Sequence, residues 1–287
     1  MTPREIGRTG LRVFPVGLGG MPLSVTGRPD EERALEVLKT ALAAGVTFID
    51  TADVYCADDR DIGHNERLIR KALERAGAAK SVTVATKGGL RRPAGEWTRD
   101  ARPQSLREAC EKSLAALGCE AIFLYQLHAP DPKVPLEDSI GEFSRLKEEG
   151  KILHVGLSNV NAAELRRAQK IVRVESVQNR CNPFDSADYF DGILQACEDS
   201  GVSYLPYSTV GGFRSQGRVG DQPLLNELSK KYGASPYALT VAWHLSKSER
   251  VIPIPGASRP ESAADSPTAV TIRLEAEDIL KIDGIGR

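Results

Sequence analysis

Eight short apolar runs, recurring at an average spacing of 34 residues, constrain this chain more than any other feature. They are Val13–Leu18, Val46–Asp50, Val82–Thr86, Ala121–Leu127, Ile152–Leu157, Val174–Gln178, Val202–Pro206 and Val251–Ile254. All are rich in Val, Ile and Leu, and most lack polar residues at alternate positions. A strand wetted on one face alternates; a strand covered on both faces does not, and parallel sheets cover both. Helix-period stretches fill the gaps: Pro29–Ala44, Asn65–Ala76, Ser105–Leu117, Leu136–Glu148, Asn161–Ile171, Ala187–Ser200, Leu224–Tyr232 and Pro236–Lys247. Gly150 is placed to cap one of them, and Asn161 with Glu164 forms a capping-box pattern. Eight strand–helix units read as a (β/α)8 barrel in one domain over residues 1–287. A doubly wound dinucleotide fold would want G-x-G-x-x-G after the first strand, but Gly17, Gly19 and Gly20 lead into Met21 and Pro22.

Composition narrows the function classes. Lys plus Arg number 38 and Asp plus Glu 39, a formal net charge of −1, so no basic excess marks a nucleic-acid partner. No stretch approaches the ~20 apolar residues of a membrane span, and the first residues lack a secretory apolar core. Cys56, Cys110, Cys119, Cys181 and Cys197 are scattered, with no CxxC pair, and read as reduced thiols of a cytoplasmic protein.

In a (β/α)8 barrel the chemistry sits at the C-terminal ends of the strands. The polar residues there are Asp50 followed by Tyr55, Lys87, His128, Ser158-Asn159, Gln178-Asn179, Tyr207-Ser208 with Gly211-Gly212, and Gly256 to Arg259. Asp50, Tyr55, Lys87 and His128 make a coherent set. A phenol with an ordinary pKa near ~10 is a poor acid at neutral pH. A neighbouring ammonium favours tyrosinate, an aspartate keeps that ammonium charged, and a histidine can hydrogen-bond a substrate oxygen. Together they suit protonation of a carbonyl oxygen as it becomes an alkoxide. Taken singly each has a plainer reading: an ion pair in the barrel mouth, a packed loop tyrosine, a satisfied histidine. A metal-dependent hydrolase would need several ligands at strand ends, and of the histidines only His128 ends a strand, so no metal is expected.

The segments Phe48-Ile49-Asp50-Thr51-Ala52-Asp53-Val54-Tyr55, Ala85-Thr86-Lys87, Tyr125-Gln126-Leu127-His128 and Gly156-Leu157-Ser158-Asn159 closely resemble the aldo-keto reductase family. Gly7-Arg8-Thr9-Gly10-Leu11, Gly17-Leu18-Gly19-Gly20 and Ile254-Pro255-Gly256-Ala257 match as well, so the likeness runs through the whole chain in order. The resemblance implies an enzyme that reduces a small-molecule aldehyde or ketone to an alcohol with NADPH, using the 4-pro-R hydride. It implies Tyr55 as proton donor, Lys87 to lower the pKa of Tyr55, Asp50 to support Lys87, and His128 to orient the carbonyl. Ser158, Asn159 and Gln178 would hold the carboxamide of NADPH (NADP+), with Tyr207 stacked on its nicotinamide ring. Gly20 and Met21 would line the cofactor channel, and the loop of Ser208 and Gly212 would follow the pyrophosphate. Gly256, Ser258, Arg259 and Ser262 would receive the 2′-phosphate at a helix N-terminus.

Departures from the family pattern are Cys56 where Gly is common, Thr209-Val210 in place of Pro-Leu, and Ser262 and Ser266 where Arg or Gln and then Asn are frequent. The Gly88–Asp100 segment and the Val210-Gly211-Gly212-Phe213 turn resemble a bacterial branch that includes a pyridoxal-reducing member. Trp97 is a candidate for the substrate pocket, and Arg214 and Arg218 for the cofactor phosphates. The alternative function is an NADPH-binding sensor or regulatory protein with little turnover.

Overall fold

The computed structural model describes residues 2–212 and 217–286. Seven parallel strands form one sheet: β1 (Leu18–Gly19), β2 (Phe48–Asp50), β3 (Thr83–Gly88), β4 (Ile122–Leu127), β5 (Ile152–Ser158), β6 (Val174–Gln178) and β7 (Ser203–Tyr204). The eighth apolar run closes the sheet into a barrel. Val251 bridges to Tyr204 of β7, and Gly256 bridges to Gly19 of β1. Ile252 and Ile254 donate to the Tyr204 and Pro206 carbonyls, while Pro253 and Pro255 accept from Gly17 and Gly19. The two prolines have no N–H to return, so the closing ladder toward β1 is one-sided and this run is not a continuous strand.

The first run, Val13–Leu18, is divided rather than being one strand. Arg12–Val13 pairs antiparallel with Arg4–Glu5, and only Leu18–Gly19 enters the barrel. Proline at 15 separates the two parts. The hairpin contributes Ile6 and Val13 to the interior core of Phe48, Ala85, Leu124, Leu205, Ile252 and Ile254, which closes the N-terminal floor of the barrel. Outward-facing strand residues meet the helices: Ile49 packs with Leu35, Leu38 and Ile69, and Val155, Leu157 and Val177 pack with Leu106, Ile140 and Phe143.

The surrounding helices are α1 (Glu31–Ala43), α2 (His64–Ala76), α3 (Pro103–Leu117), α4 (Leu136–Glu148), α5 (Ala162–Gln169), α6 (Ile193–Ser200), α7 (Gly217–Gly220), α8 (Pro223–Tyr232), α9 (Pro236–Leu245), α10 (Pro260–Thr268) and α11 (Ala276–Asp283). The capping box at Asn161 is present, and Gly150 beyond α4 adopts φ +75°. The expected helix over Ala187–Ser200 is broken into a single 3-10 turn at Ala187–Tyr189 and α6. Gly192 takes φ +97° between them, and the Asp191 carboxylate accepts from the Ile193 N–H to start α6 afresh. None of the described helices is long and apolar enough to cross a membrane.

Candidate active site

The pleat decides which residues meet at the mouth. Asp50 ends β2, Lys87 lies in β3, Gln126 in β4 and Gln178 ends β6, and these side chains converge inside the barrel. Lys87 is fully buried, and its ammonium is saturated by three acceptors: Asp50 Oδ2 at 2.6 Å, the Thr51 carbonyl at 2.8 Å and the Tyr55 hydroxyl at 2.9 Å. Asp50 Oδ1 accepts from Gln178 Nε2 at 2.7 Å and Gln126 Nε2 at 3.0 Å. Both charges are therefore fully hydrogen-bonded, the condition under which an ion pair survives burial. The backbone at Gly156 must be bare for this: a Cβ there would sit 2.3 Å from Ser176 Oγ and 2.7 Å from Gln126 Cγ.

Tyr55 reaches the network from the loop after β2, where its N–H donates to the Ala52 carbonyl. Its ring lies edge-on to His128, 5.7 Å between centroids, and to Trp97 at 6.4 Å; Trp97 and His128 are 6.3 Å apart. Two further rings thus flank the tyrosine whose hydroxyl Lys87 holds. Burial pushes the Tyr55 phenol well above its ordinary pKa, and the charge of Asp50 adds to this. This is opposite to the lowering expected from a neighbouring lysine. The reason is that loss of solvation is what the phenol feels most, while Asp50, paired with Lys87, offsets the lysine charge. The protein consequently holds Tyr55 protonated. Burial lowers the Lys87 ammonium, against the pull of Asp50. Burial, followed by the charge of Lys87, drops His128 well below 6.5, so its imidazole is neutral. Its Nδ1 is buried and unpaired.

Beside Tyr55 opens a cavity bordered by Gly19, Met21, Tyr207, Ser208, Gly212 and Gly256. Ser208 adopts φ +53° and Gly212 φ +74°, and a Cβ on Gly212 would approach Ser208 Oγ to 2.7 Å. The loop is shaped to leave room. Gly20 is turned away from the cavity: its N–H donates to the Asp50 carbonyl at 2.8 Å, its carbonyl accepts from Asn65 at 2.9 Å, and a Cβ would strike Asn65. Asn159, at φ +59°, ties three strand ends together by donating to the His128 carbonyl and accepting from the Tyr207 hydroxyl, both at 2.8 Å. Ser158 is buried beside it, within 3.1 Å of Asn159 Nδ2. Arg259 immediately precedes α10, exposed and with no ion-pair partner among the described residues; Ser258 and Ser262 are half-buried at the same helix start. Arg218 lies over the Phe184 ring, 4.2 Å away. Phe213 and Arg214 fall outside the described residues.

The structure adds residues that the strand-end survey missed. Gln126 was visible as the residue two before His128 and so on the same face, but nothing local tied it to Asp50. Arg92 and Arg180 border the mouth next to Trp97. Their sequence context, a loop and a strand exit, carries no signal that would select them. Among the described residues no cluster of His, Cys, Asp and Glu could hold a metal ion. The five cysteines are unpaired, and burial pushes the Cys56 thiol up to about 11, so beside Tyr55 it is an unreactive thiol.

Residues 15–287 match the aldo/keto reductase family. An oxidoreductase of Schizosaccharomyces pombe is 33% identical over 95% of this chain and 86% of its own length. A probable aldo-keto reductase of Glycine max is 31% identical over 98% of this chain and 87% of its own. The crystal structure of the thermostable aldo-keto reductase Tm1743 with the inhibitor epalrestat superposes with a TM-score of 0.84 at 29% identity, covering 100% of both chains. With the barrel and the matched segments in place along its length, the chain belongs to the aldo/keto reductase family and is an NAD(P)H-dependent oxidoreductase acting on carbonyl groups of small molecules.

Proposed function

We propose that the protein reduces an aldehyde or ketone to an alcohol with NADPH, and that Tyr55 gives the proton. The single observation that supports this best is the Tyr55 hydroxyl, held 2.9 Å from Lys87 Nζ at the wall of the open cavity. The residues fit a nicotinamide cofactor: Tyr207, Ser208 and Gly212 border a cavity beside Tyr55, and Gly256 leads from it to the start of α10. Tyr207 would cover the nicotinamide, Ser158 and Asn159 would hold its carboxamide, and Arg259 with Ser258 and Ser262 would meet the 2′-phosphate. When bound, the cofactor supplies a hydride to the carbonyl carbon.

The chain's own residues manage the oxygen. Neutral His128 donates a hydrogen bond to the carbonyl, with Tyr55 beside it as the second donor. As negative charge grows on that oxygen, the phenol proton passes to it and the phenol becomes tyrosinate. Lys87, already donating to the same phenol oxygen, stabilises that charge without moving. Asp50, gripped by Gln126 and Gln178, holds Lys87 in place. Tyrosinate then recovers a proton from solvent. Burial raises the phenol and lowers the imidazole, so Tyr55 keeps its proton and His128 stays neutral at neutral pH.

The test is NADPH oxidation at saturating cofactor with an aromatic aldehyde and with pyridoxal. Tyr55→Phe is expected to cut turnover by about 10²–10⁴-fold, the contribution of a general acid, with little change in NADPH affinity. A near-normal rate would remove Tyr55 from this role. Arg259→Ala is expected to weaken NADPH about tenfold while NADH changes little, since only the former presents a 2′-phosphate. Equal loss for both would remove the phosphate assignment.

A further inference from the structure

The mouth of the site carries a buried arginine with no ion-pair partner among the described residues; Asp58, itself bonded to Arg60, acts on it only at longer range. Arg92 is 3% exposed, yet it borders the mouth cavity together with Trp97, Arg180, Met21 and Ser208. Its guanidinium carbon lies 4.0 Å from the centre of the Trp97 ring. Nη2 donates to the Cys56 and Ala57 carbonyls, just past Tyr55, at 3.2 and 3.1 Å. Nε is buried with no partner, and no carboxylate pairs with Arg92 among the described residues. An aromatic face and two carbonyls orient a guanidinium, but they do not offset the cost of burying its charge. Arg180 stands on the same mouth, half exposed, with Nε 3.2 Å from Asp185. Glu96, exposed, is the only carboxylate among the described residues that border this cavity. The two arginines share their cavity with Trp97; Met21, Ser208 and Gly212 join it to the adjoining cavity of Tyr207 and Gly256.

We propose that Arg92 and Arg180 form an anion subsite for the substrate, so that the protein selects carbonyl compounds carrying a carboxylate or phosphate at the end remote from the carbonyl. This rests on the reductase reading above. The carbonyl would lie at Tyr55 and His128, the body of the substrate against Trp97, and the anion at the guanidinium plane, which suits two-oxygen recognition. Trp97 then has two duties: it walls the pocket and fixes the Arg92 fork.

The experiment compares 4-carboxybenzaldehyde with its methyl ester, and glyceraldehyde 3-phosphate with glyceraldehyde, by NADPH oxidation. The ester has the intrinsically more reactive aldehyde, so a preference for the acid must come from binding. The kcat/KM ratio of acid to ester is expected to exceed about tenfold in the wild type, carried by KM, and to fall toward one in Arg92→Met and Arg180→Gln. Arg92→Lys, which keeps the charge without the planar fork, is expected to fall between. The better of the two anionic probes names the source of the charge. Arg180→Gln, at a half-exposed position, keeps the test open if Arg92→Met does not fold. A wild-type ratio near one, or one that neither variant alters, overturns the proposal. So does a loss of NADPH affinity in the variants with the ratio intact, which would reassign the arginines to the cofactor phosphates. If even the ester is not reduced, the reductase reading fails separately. Benzoate against benzamide, titrated by tryptophan fluorescence, then decides the subsite: tighter benzoate binding lost in both variants sustains it, and equal binding ends it.

Discussion

The two ends of the barrel bury charge in different ways. At the N-terminal floor, Arg4 is 7% exposed and donates to the backbone carbonyls of Val251 and Leu245. Glu175, also buried, accepts from the Arg8 N–H at 2.8 Å and pairs with Arg173 at 2.5 Å. Ser203 links the Gly7 N–H to the Glu5 carbonyl, and Arg250 donates to the Gly7 carbonyl. These bonds pin the N-terminal hairpin across the floor. At the rim, Lys87 and Asp50 are just as buried, but the hydroxyl they hold faces a cavity, and His128 Nδ1 and Arg92 Nε have no partner. Buried polar groups are normally satisfied, so these two beside the mouth leave hydrogen-bonding capacity that a ligand can use. The floor's charges close the fold, and the rim's charges leave it open on one side.

The contrast can be broken first at Lys87. Lys87→Met would leave Asp50 charged and buried without its ion partner, a loss of about 3–5 kcal/mol of stability, with turnover abolished. Adding Asp50→Asn removes the stranded charge. The double variant is expected to regain most of the stability by denaturant titration and none of the activity. Recovered turnover would show that the pair is structural only.

Arg4→Met tests the floor. It removes two charge-assisted bonds to backbone carbonyls, expected to lower stability by about 2–3 kcal/mol. The kcat per folded molecule should match the wild type. A changed KM would mean that the two ends are coupled.

The smallest effect sharpens the boundary between them. His244 in α9 bonds the Tyr189 hydroxyl and the carbonyl of Thr209, which follows Ser208 in the rim loop. Burial holds its pKa at about 3, below the 6.5 of an unfolded histidine. The unfolded chain therefore binds the extra proton first as pH falls. The stability from neutral His244 is complete above pH 6.5 and is lost progressively toward pH 3. One such proton gives a slope of about 1.4 kcal/mol per pH unit in that window. His64 and His154, also lowered by burial, add with the same sign. His244→Gln should flatten the slope by about one proton between pH 6 and 4; an unchanged slope would place the acid sensitivity elsewhere.

Much of this was legible along the chain because it is local. Apolar runs reported strands covered on both faces, and the capping box at Asn161 formed as its spacing indicated. Asp50, Lys87 and His128 were visible as strand-end residues because a strand end needs no knowledge of its neighbours. The Val13–Leu18 run shows the limit: its residues are apolar for two reasons, floor and barrel, and composition cannot separate them. Gly192 likewise divided a stretch whose helical period looked unbroken.

What the amino-acid order determined by itself is the alternation of strands and helices and the chemical kind of residue at each strand exit, because both follow from burial period and residue type. Only the tertiary structure decided that Gln178 grips Asp50 across 128 residues and that Arg92 rests on Trp97 with no ion-pair partner among the described residues. It also decided that the Tyr55 phenol is raised rather than lowered. Those depend on barrel closure, on which side chains share the interior and on how far water is excluded, and these are properties of packing between distant segments.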